Sequence, residues 1–367
     1  MAFFFASPIG LGHITRDIAI LEKMTNTSKK NIDINMVTGL KAFELISLNY
    51  KNYLGGMNLK LFNLYRSPEF SIANGELKQN LLWLLRYVLY YKKSNTIVKN
   101  FLSSSNFNSN ASVIISDEDL ASISVAKEVG SKSLFITDIL NTSFIGSSIF
   151  SGLEKLFNKT MCKLVSSCDC VIVPEFGENK DNIFYVGPIV REILTDRNEL
   201  RGRLLLNKKT ILITTGGTKA GYYLIKRALR VLIALMSRFD FEVVLSYPYD
   251  LNLAEFKASK LKNIGFVPNI HEYIFAADLV ISLAGKSTID ECIVYGTPGI
   301  FIPIKNHFEQ EERAKSLGFV SEDIYRLSAM VEESLSNIGN RKNRKADNNS
   351  SSGASEAARI ISKYLNE

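Results

Sequence analysis

Ala276–Ala314 reads AADLVISLAGKSTIDECIVYGTPGIFIPIKNHFEQEERA, and this stretch decides the fold. An apolar run, Leu279 to Leu283, stops at Ala284-Gly285. A helix is expected to open at Ser287-Thr288 and to end at Gly296-Thr297-Pro298, before a second apolar run from Gly299 to Ile304. His307, Glu309 and Gln310 follow that run. A strand, glycine loop, helix and strand in this order leave unpaired backbone N–H groups at a helix N-terminus, which suits a phosphate. Ligands of open α/β sheets bind at such strand ends.

Outward from this unit, the chain reads as two similar alternating halves. Ala2–Ser7, Ile32–Thr38, Leu59–Leu64, Ala111–Ile115, Leu134–Thr137, Cys170–Val173 and Ile183–Val186 are predicted strands. A long helix is predicted from about Glu76 to Phe101. The strand runs lack polar alternation, so they are expected to be buried on both faces of parallel sheets. Thr210–Thr214 starts the second series, which continues through Phe241–Ser246 and Ile264–Val267. Gly187-Pro188 is the expected boundary: residues 1–187 form an N-terminal domain, 188–353 a second one, and 354–367 a helix packing back on the first. The polar stretch 341–353 reads as a loop.

The 367 residues suffice for two domains. A net charge of +7 favours anionic partners such as nucleotide phosphates or acidic lipids. No recognition helix or RNP-like motif is present, so nucleic acid is not expected. The four cysteines lack a C-x-x-C pair, which argues against zinc and fits a reducing cytoplasm. MAFFFASPIG has no basic n-region and reads as a first strand rather than a signal peptide. Leu81–Tyr91 is too short to span a membrane. With Arg86, Lys92 and Lys93 it reads either as a core helix or as a basic, aromatic surface resting on one.

Four groups carry candidate chemistry. Gly10-Leu11-Gly12-His13-Ile14-Thr15-Arg16 follows the first strand, and its glycines permit a tight turn and close ligand approach. His13 is expected at the helix N-terminus, where the dipole would lower its pKa and keep it neutral for general-base work. The third glycine of a dinucleotide fingerprint is missing, which disfavours a nicotinamide enzyme. Gly216-Gly217-Thr218 could accept a diphosphate through backbone N–H groups, although alone it is also a plain βα turn. Asp117-Glu118-Asp119 reads either as an acidic turn capping the next helix or as the source of a carboxylate, Asp117, that orients His13. Thr288-x-x-Glu291 has capping-box spacing, yet Glu291 could equally grip ribose hydroxyls. Gln310 supplies a second polar group at a strand end where packing does not call for one.

Together, Gly-x-Gly-His-x-x-Arg, the Gly-Gly-Thr loop, and AADLVIS-x-AGKST-x-x-E-x-x-x-x-G-x-P with a later Glu-Gln resemble the GT-B glycosyltransferases. The group that contains the MurG transferase and its archaeal and bacterial relatives, of the family 28 type, is the most similar. The resemblance spans nearly the whole chain, including Tyr185-Val186-Gly187-Pro188. It implies an α/β GT-B fold, two Rossmann-like domains with mainly parallel sheets facing across a cleft. It also implies a hexosyltransferase that uses a nucleotide-sugar donor, commonly UDP-linked, held mainly by the second domain. Gly216, Gly217 and Thr218 would approach the diphosphate, and Gly285, Ser287 and Thr288 would bind phosphate at the helix start. Glu291 would hold the ribose, Gln310, preceded by Glu309, the donor sugar, and Val267 the base. His13 would sit near the acceptor, which it, or Asp117 through it, would deprotonate, or else near the donor phosphates, with Gly10 and Gly12 shaping its loop. Inversion, no bound metal and no cofactor beyond the donor are implied. So are a lipid-linked or glycan acceptor and a place on the cytoplasmic face of the membrane.

Two departures stand out. The first glycine loop is sparser than in MurG, and Lys286 follows Gly285, either charging the phosphate site or facing solvent. A UDP-sugar hydrolase, a UDP-sugar 2-epimerase on the same scaffold and a non-catalytic nucleotide-sugar-binding module are the alternative readings.

Overall fold

The computed structural model describes the chain except residues 28–31, 50–56, 67, 79, 140, 146–150, 218, 248, 250–255, 257–259, 338–351 and 367. The chain divides into two compact units. Unit 1 comprises Met1–Ser71, Gln79–Val190 and Ser351–Glu367; unit 2 comprises Ile72–Lys78 and Arg191–Ser350.

The first unit opens with β1 (Ala2–Ala6), α1 (Gly12–Thr27), β2 (Ile32–Gly39), α2 (Leu40–Asn49) and β3 (Met57–Tyr65). A hairpin of β4 (Ser71–Ala73) and β5 (Glu76–Lys78) interrupts the series. The unit resumes with α3 (Asn80–Ser104), β6 (Val113–Asp117), α4 (Leu120–Val129), β7 (Lys132–Ile136), α5 (Ser151–Val165), β8 (Cys170–Val173) and β9 (Ile183–Tyr185). Its seven strands lie in the order β3-β2-β1-β6-β7-β8-β9. All six pairings are parallel. Phe3 and Phe5 point to one face of β1, against Val98, Phe101 and Val125. Ala2, Phe4 and Ala6 point to the other, against Ile14, Ile18 and Leu21 of α1. Period-two alternation with both faces apolar is why the run carries no polar residue.

The second unit begins with α6 (Arg197–Arg203), β10 (Lys209–Thr214), α7 (Tyr222–Leu235), β11 (Phe241–Ser246) and β12 (Leu261–Asn263). It continues with α8 (Ile270–Ala276), β13 (Leu279–Leu283), α9 (Lys286–Val294), β14 (Gly299–Ile302), α10 (Phe308–Ser316) and α11 (Leu327–Asn337). Its parallel sheet has the order β12-β11-β10-β13-β14. The closing helix, α12 (Ser352–Asn366), belongs to unit 1. There Ala354, Ala357, Ala358 and Ile361 join the core that contains α1.

Two predicted elements differ. The third strand of unit 2 is Leu261–Asn263, not Ile264–Val267. Gly265 takes φ +62°, outside strand geometry, and its carbonyl accepts from Ser246 Oγ and Tyr247 N instead. The long helix starts at Asn80 rather than near Glu76, because Glu76–Lys78 is the returning strand of the hairpin. The residues of the basic run 341–345 lie outside the described residues.

Candidate active site

In each unit the strand order reverses beside its first strand, between β1 and β6 and between β10 and β13. The loops leaving such a pair turn to opposite faces of the sheet and open a crevice between them. The Gly-His, acidic, Gly-Gly-Thr and Gly-Lys-Ser-Thr motifs lie at the ends of these four strands, whereas Val267 follows β12 and Glu309 and Gln310 follow β14.

In unit 1, Gly10 takes φ +81°, a left-handed turn that a side chain resists, and α1 begins at Gly12. Ala6 pairs with Asp117 across β1 and β6, so the end of β6 meets the start of α1. His13 Nδ1 lies 2.9 Å from Asp117 Oδ1. A carboxylate only accepts, so the Nδ1 that faces it carries a proton. Nε2 in turn lies 3.5 Å from Glu118 Oε2. Arg16, one turn along α1, donates from Nε to Asp117 Oδ2 at 2.6 Å, from Nη2 to Oδ1, and from Nη1 to Asp138 Oδ1 at 2.8 Å. The buried Asp117 would be raised by desolvation, but the Arg16 guanidinium and His13 hold it well below the usual carboxylate range. Asp17 is fully buried beside it. Burial, with the Asp117 charge, pushes the Asp17 carboxyl well above its ordinary value.

The expected dipole-lowered His13 is corrected here. Burial does depress it, yet Asp117 and Glu118 outweigh that, and its pKa stands above 6.5. Two carboxylates within reach of the ring exceed the half-charge of a helix end. The acidic triplet divides its labour. Asp117 faces His13, while Asp119 caps α4, accepting from Ser122 N at 3.1 Å and from Tyr65 OH at 2.7 Å. Glu118 sits between them at φ +51°, a conformation that costs a non-glycine residue about 1 kcal/mol or more. Burial and the neighbouring Asp138 raise its pKa.

In unit 2, Gly216 takes φ +73° just after β10, with Gly217 following; Thr218 lies outside the described residues. After β13, Gly285 is the N-cap of α9, in extended conformation, and no side chain caps the helix. A glycine at the N-cap offers no side-chain oxygen of its own to the first turn of the helix. With the cap at Gly285, Thr288 falls inside the helix, so the Thr288–Glu291 capping box does not form. Glu291 is buried one turn further in, where desolvation pushes its pKa up to about 8, against the pull of Arg191 and with Asp290 adding to the rise. Lys286 turns back to Asp290, 3.1 Å away. Val267 is half-buried in the loop after β12, and Pro268 O lies 3.5 Å from Arg191 Nη1.

Gln310 has a structural bond after all: its Oε1 accepts from Ile304 N at 3.1 Å, tying the start of α10 to the end of β14. Glu309 lies 3.7 Å from Arg313 one turn on. Sequence reasoning passed over Arg191, Asp138 and Asp17, and named Glu118 only as part of the acidic turn. Arg16 was visible too, one helical turn after His13 in the Gly-His motif.

Two doubly wound parallel units, each with a polar site at its own switch point, are the architecture of the GT-B glycosyltransferases. Residues 210–364 match the glycosyltransferase family 28 C-terminal domain, and that stretch of the chain is of the family 28 type. It is 26% identical over 216 residues to an uncharacterized glycosyltransferase of Methanopyrus kandleri, covering 55% of this chain and 60% of that protein. It is 32% identical over 159 residues to the UDP-N-acetylglucosamine--N-acetylmuramyl-(pentapeptide) pyrophosphoryl-undecaprenol N-acetylglucosamine transferase of Desulforamulus reducens, covering 38% and 42%. The chain thus spans about half the length of these curated relatives. Among solved structures, the glycotransferase of kitacinnamycin superposes with TM-score 0.64 at 13% identity, over 99% of this chain and 98% of that one. A Staphylococcus aureus MnaA–UDP structure superposes with TM-score 0.60 at 12% identity, over 100% and 97%. At these identities the likeness is one of fold.

Proposed function

We propose that the protein transfers a sugar from a nucleotide-sugar donor, UDP-linked, to a hydroxyl acceptor, with inversion and without a metal. The observation that carries this reading is the start of α9. An uncapped helix N-terminus at a switch point has a buried carboxylate, Glu291, one turn inside it. That pair matches a diphosphate followed by a ribose. Gly216, Gly217, Thr218, Gly285, Ser287 and Thr288 hold the diphosphate, Val267 the base, and Gln310, with Glu309 beside it, the sugar. In unit 1, His13 Nε2 takes the acceptor hydroxyl proton while Asp117 holds Nδ1–H. The acceptor oxygen bonds to the anomeric carbon, the bond from that carbon to the diphosphate oxygen breaks, and the electron pair leaves on UDP. The α9 dipole stabilises that charge without a cation.

The first test is a thermal-shift panel of UDP, GDP, dTDP, CMP and ADP on the wild type and on Glu291→Ala. UDP is expected to raise the midpoint, and at about pH 9, where Glu291 is ionised, Glu291→Ala is expected to weaken UDP binding by about 10–100-fold, the loss of hydrogen bonds to a charged group. No shift with any nucleotide would remove the donor reading.

The pH dependence has a defined sign. The folded protein keeps Glu291 protonated up to about pH 8, whereas its ordinary value is 4.5. Its contribution to stability is therefore full below the lower value and is lost as pH rises through the higher. Ribose hydroxyls favour the carboxylate form, so UDP affinity should climb about tenfold from about pH 7 to pH 9. Isothermal titration across that range should show the climb in the wild type and none in Glu291→Gln; an equal climb in both assigns it elsewhere.

A lipid-linked acceptor is part of the proposal. The Desulforamulus relative is named for one carrying pyrophosphoryl-undecaprenol. Leu82, Leu85 and Leu89 are exposed along one face of α3, and Leu153 and Leu156 on α5. Tyr87 and Phe157 pack edge to face between these two helices. Arg86, Lys92, Lys93, Lys155 and Lys159 stand exposed around them, the composition of a surface that rests on anionic lipid at the cytoplasmic face. Among the described residues no helix is long and apolar enough to cross a membrane. Co-sedimentation with anionic liposomes should be strong at low salt, weaker at high salt, and reduced by Leu85→Glu with Leu156→Glu. No binding at either salt would overturn the membrane contact.

A further inference from the structure

The β4–β5 hairpin, encoded between two elements of unit 1, belongs to unit 2. Its turn is Asn74-Gly75 at φ +49° and +79°, the mirror-image two-residue turn that Asn-Gly favours. Beyond the turn, the chain runs parallel to Lys305. Leu77 N donates to Lys305 O and Lys305 N to Gly75 O, both at 2.8 Å. Asn306 Nδ2 donates to Glu76 Oε1 at 3.1 Å. Leu77 is buried, and a Cβ on Gly75 would collide with the Tyr223 ring, so the turn is seated against α7. The clasped residues, Lys305 and Asn306, lie between β14 and α10, the segment whose other tie is Gln310 Oε1 to Ile304 N. Asn306 itself sits at φ +65° and donates from its backbone N to Glu311 at 3.0 Å.

We infer that this hairpin is a positioning element for donor-sugar selection. It adds a short strand beside the β14–α10 connection and sets the backbone from which Gln310 and Glu309 project. The inference rests on the donor reading above for the role of Gln310; the clasp itself does not.

The test uses the full chain with Gly75→Val, which unseats the turn, and Glu76→Ala, which removes the Asn306 bond together with the exposed Lys78 ion pair. Hydrogen exchange should speed up about tenfold or more at the Lys305 amide in Gly75→Val, since its acceptor is Gly75 O. UDP affinity should change less than about twofold, whereas the preference between UDP-N-acetylglucosamine and UDP-glucose should shrink about tenfold, the worth of one or two hydrogen bonds. Glu76→Ala should show the same pattern more weakly. Unchanged exchange at Lys305 overturns the clasp. Faster exchange with an unaltered sugar preference overturns its role in selection. A wild type that binds no nucleotide overturns the donor reading and the selection role with it, while the exchange result still decides the clasp.

Discussion

His13→Ala lowers UDP release from a UDP-sugar by about 10²–10⁴-fold, the worth of a positioned general base, while UDP still raises the melting midpoint. The variant removes the proposed base of unit 1 and leaves the proposed nucleotide groups of unit 2 in place, so binding and turnover should separate. Retained turnover would take the base role from His13; lost UDP binding would point to a wider collapse. The pH profile carries a sharper signature. Asp117 and Glu118 hold the imidazolium above its ordinary 6.5, and only neutral imidazole accepts a proton. Turnover should therefore rise with pH through that elevated value. Glu118→Gln removes one of the two raising charges, so its acid limb should move to lower pH. A limb that stays put would show that Glu118 does not act on the ring. Measuring UDP and free sugar with and without hydroxyl acceptors separates transfer from hydrolysis.

Arg16→Met is expected to destabilise the protein by about 3–5 kcal/mol, the cost of leaving one member of a buried ion pair alone. Arg16 reaches both Asp117 and Asp138 with its planar fork. Without it, Asp117 keeps His13 as its cationic partner and gains the full repulsion of its acidic neighbours, so it must protonate or draw in water. For units of this size the melting midpoint should fall by roughly 6–20 °C. Arg16→Lys should recover little of it, because an ammonium cannot serve two carboxylates in one plane. The double variant Arg16→Met with Asp117→Asn should lose less than the sum of the single changes. A loss under about 1 kcal/mol for Arg16→Met would show that the cluster is solvated enough to do without its guanidinium.

Much of this was legible beforehand. The unbroken apolar runs at Ala2–Ala6 and Leu279–Leu283 announce strands buried on both faces, and parallel sheets follow from that. Glycines placed just after such strands mark where the chain turns into a helix, and the Gly10–His13 and Gly285–Thr288 loops lie there. The Asn74-Gly75 hairpin signal was present too, but the leucine-rich run of α3 directly after it extended the helical reading over Glu76–Lys78. Local pattern there outweighed a two-residue turn whose strands find their partner at Lys305.

Periodicity and turn chemistry, then, were enough to determine the two α/β series and the loops that carry their polar residues, because both depend on neighbours within a few positions. Tertiary structure alone decided the charge of His13, which follows from carboxylates more than a hundred residues away, and the part of Glu291, which changes once the cap of α9 settles on Gly285. Electrostatic fields and cap positions are set by which elements meet in space, and a one-dimensional spacing does not contain that information.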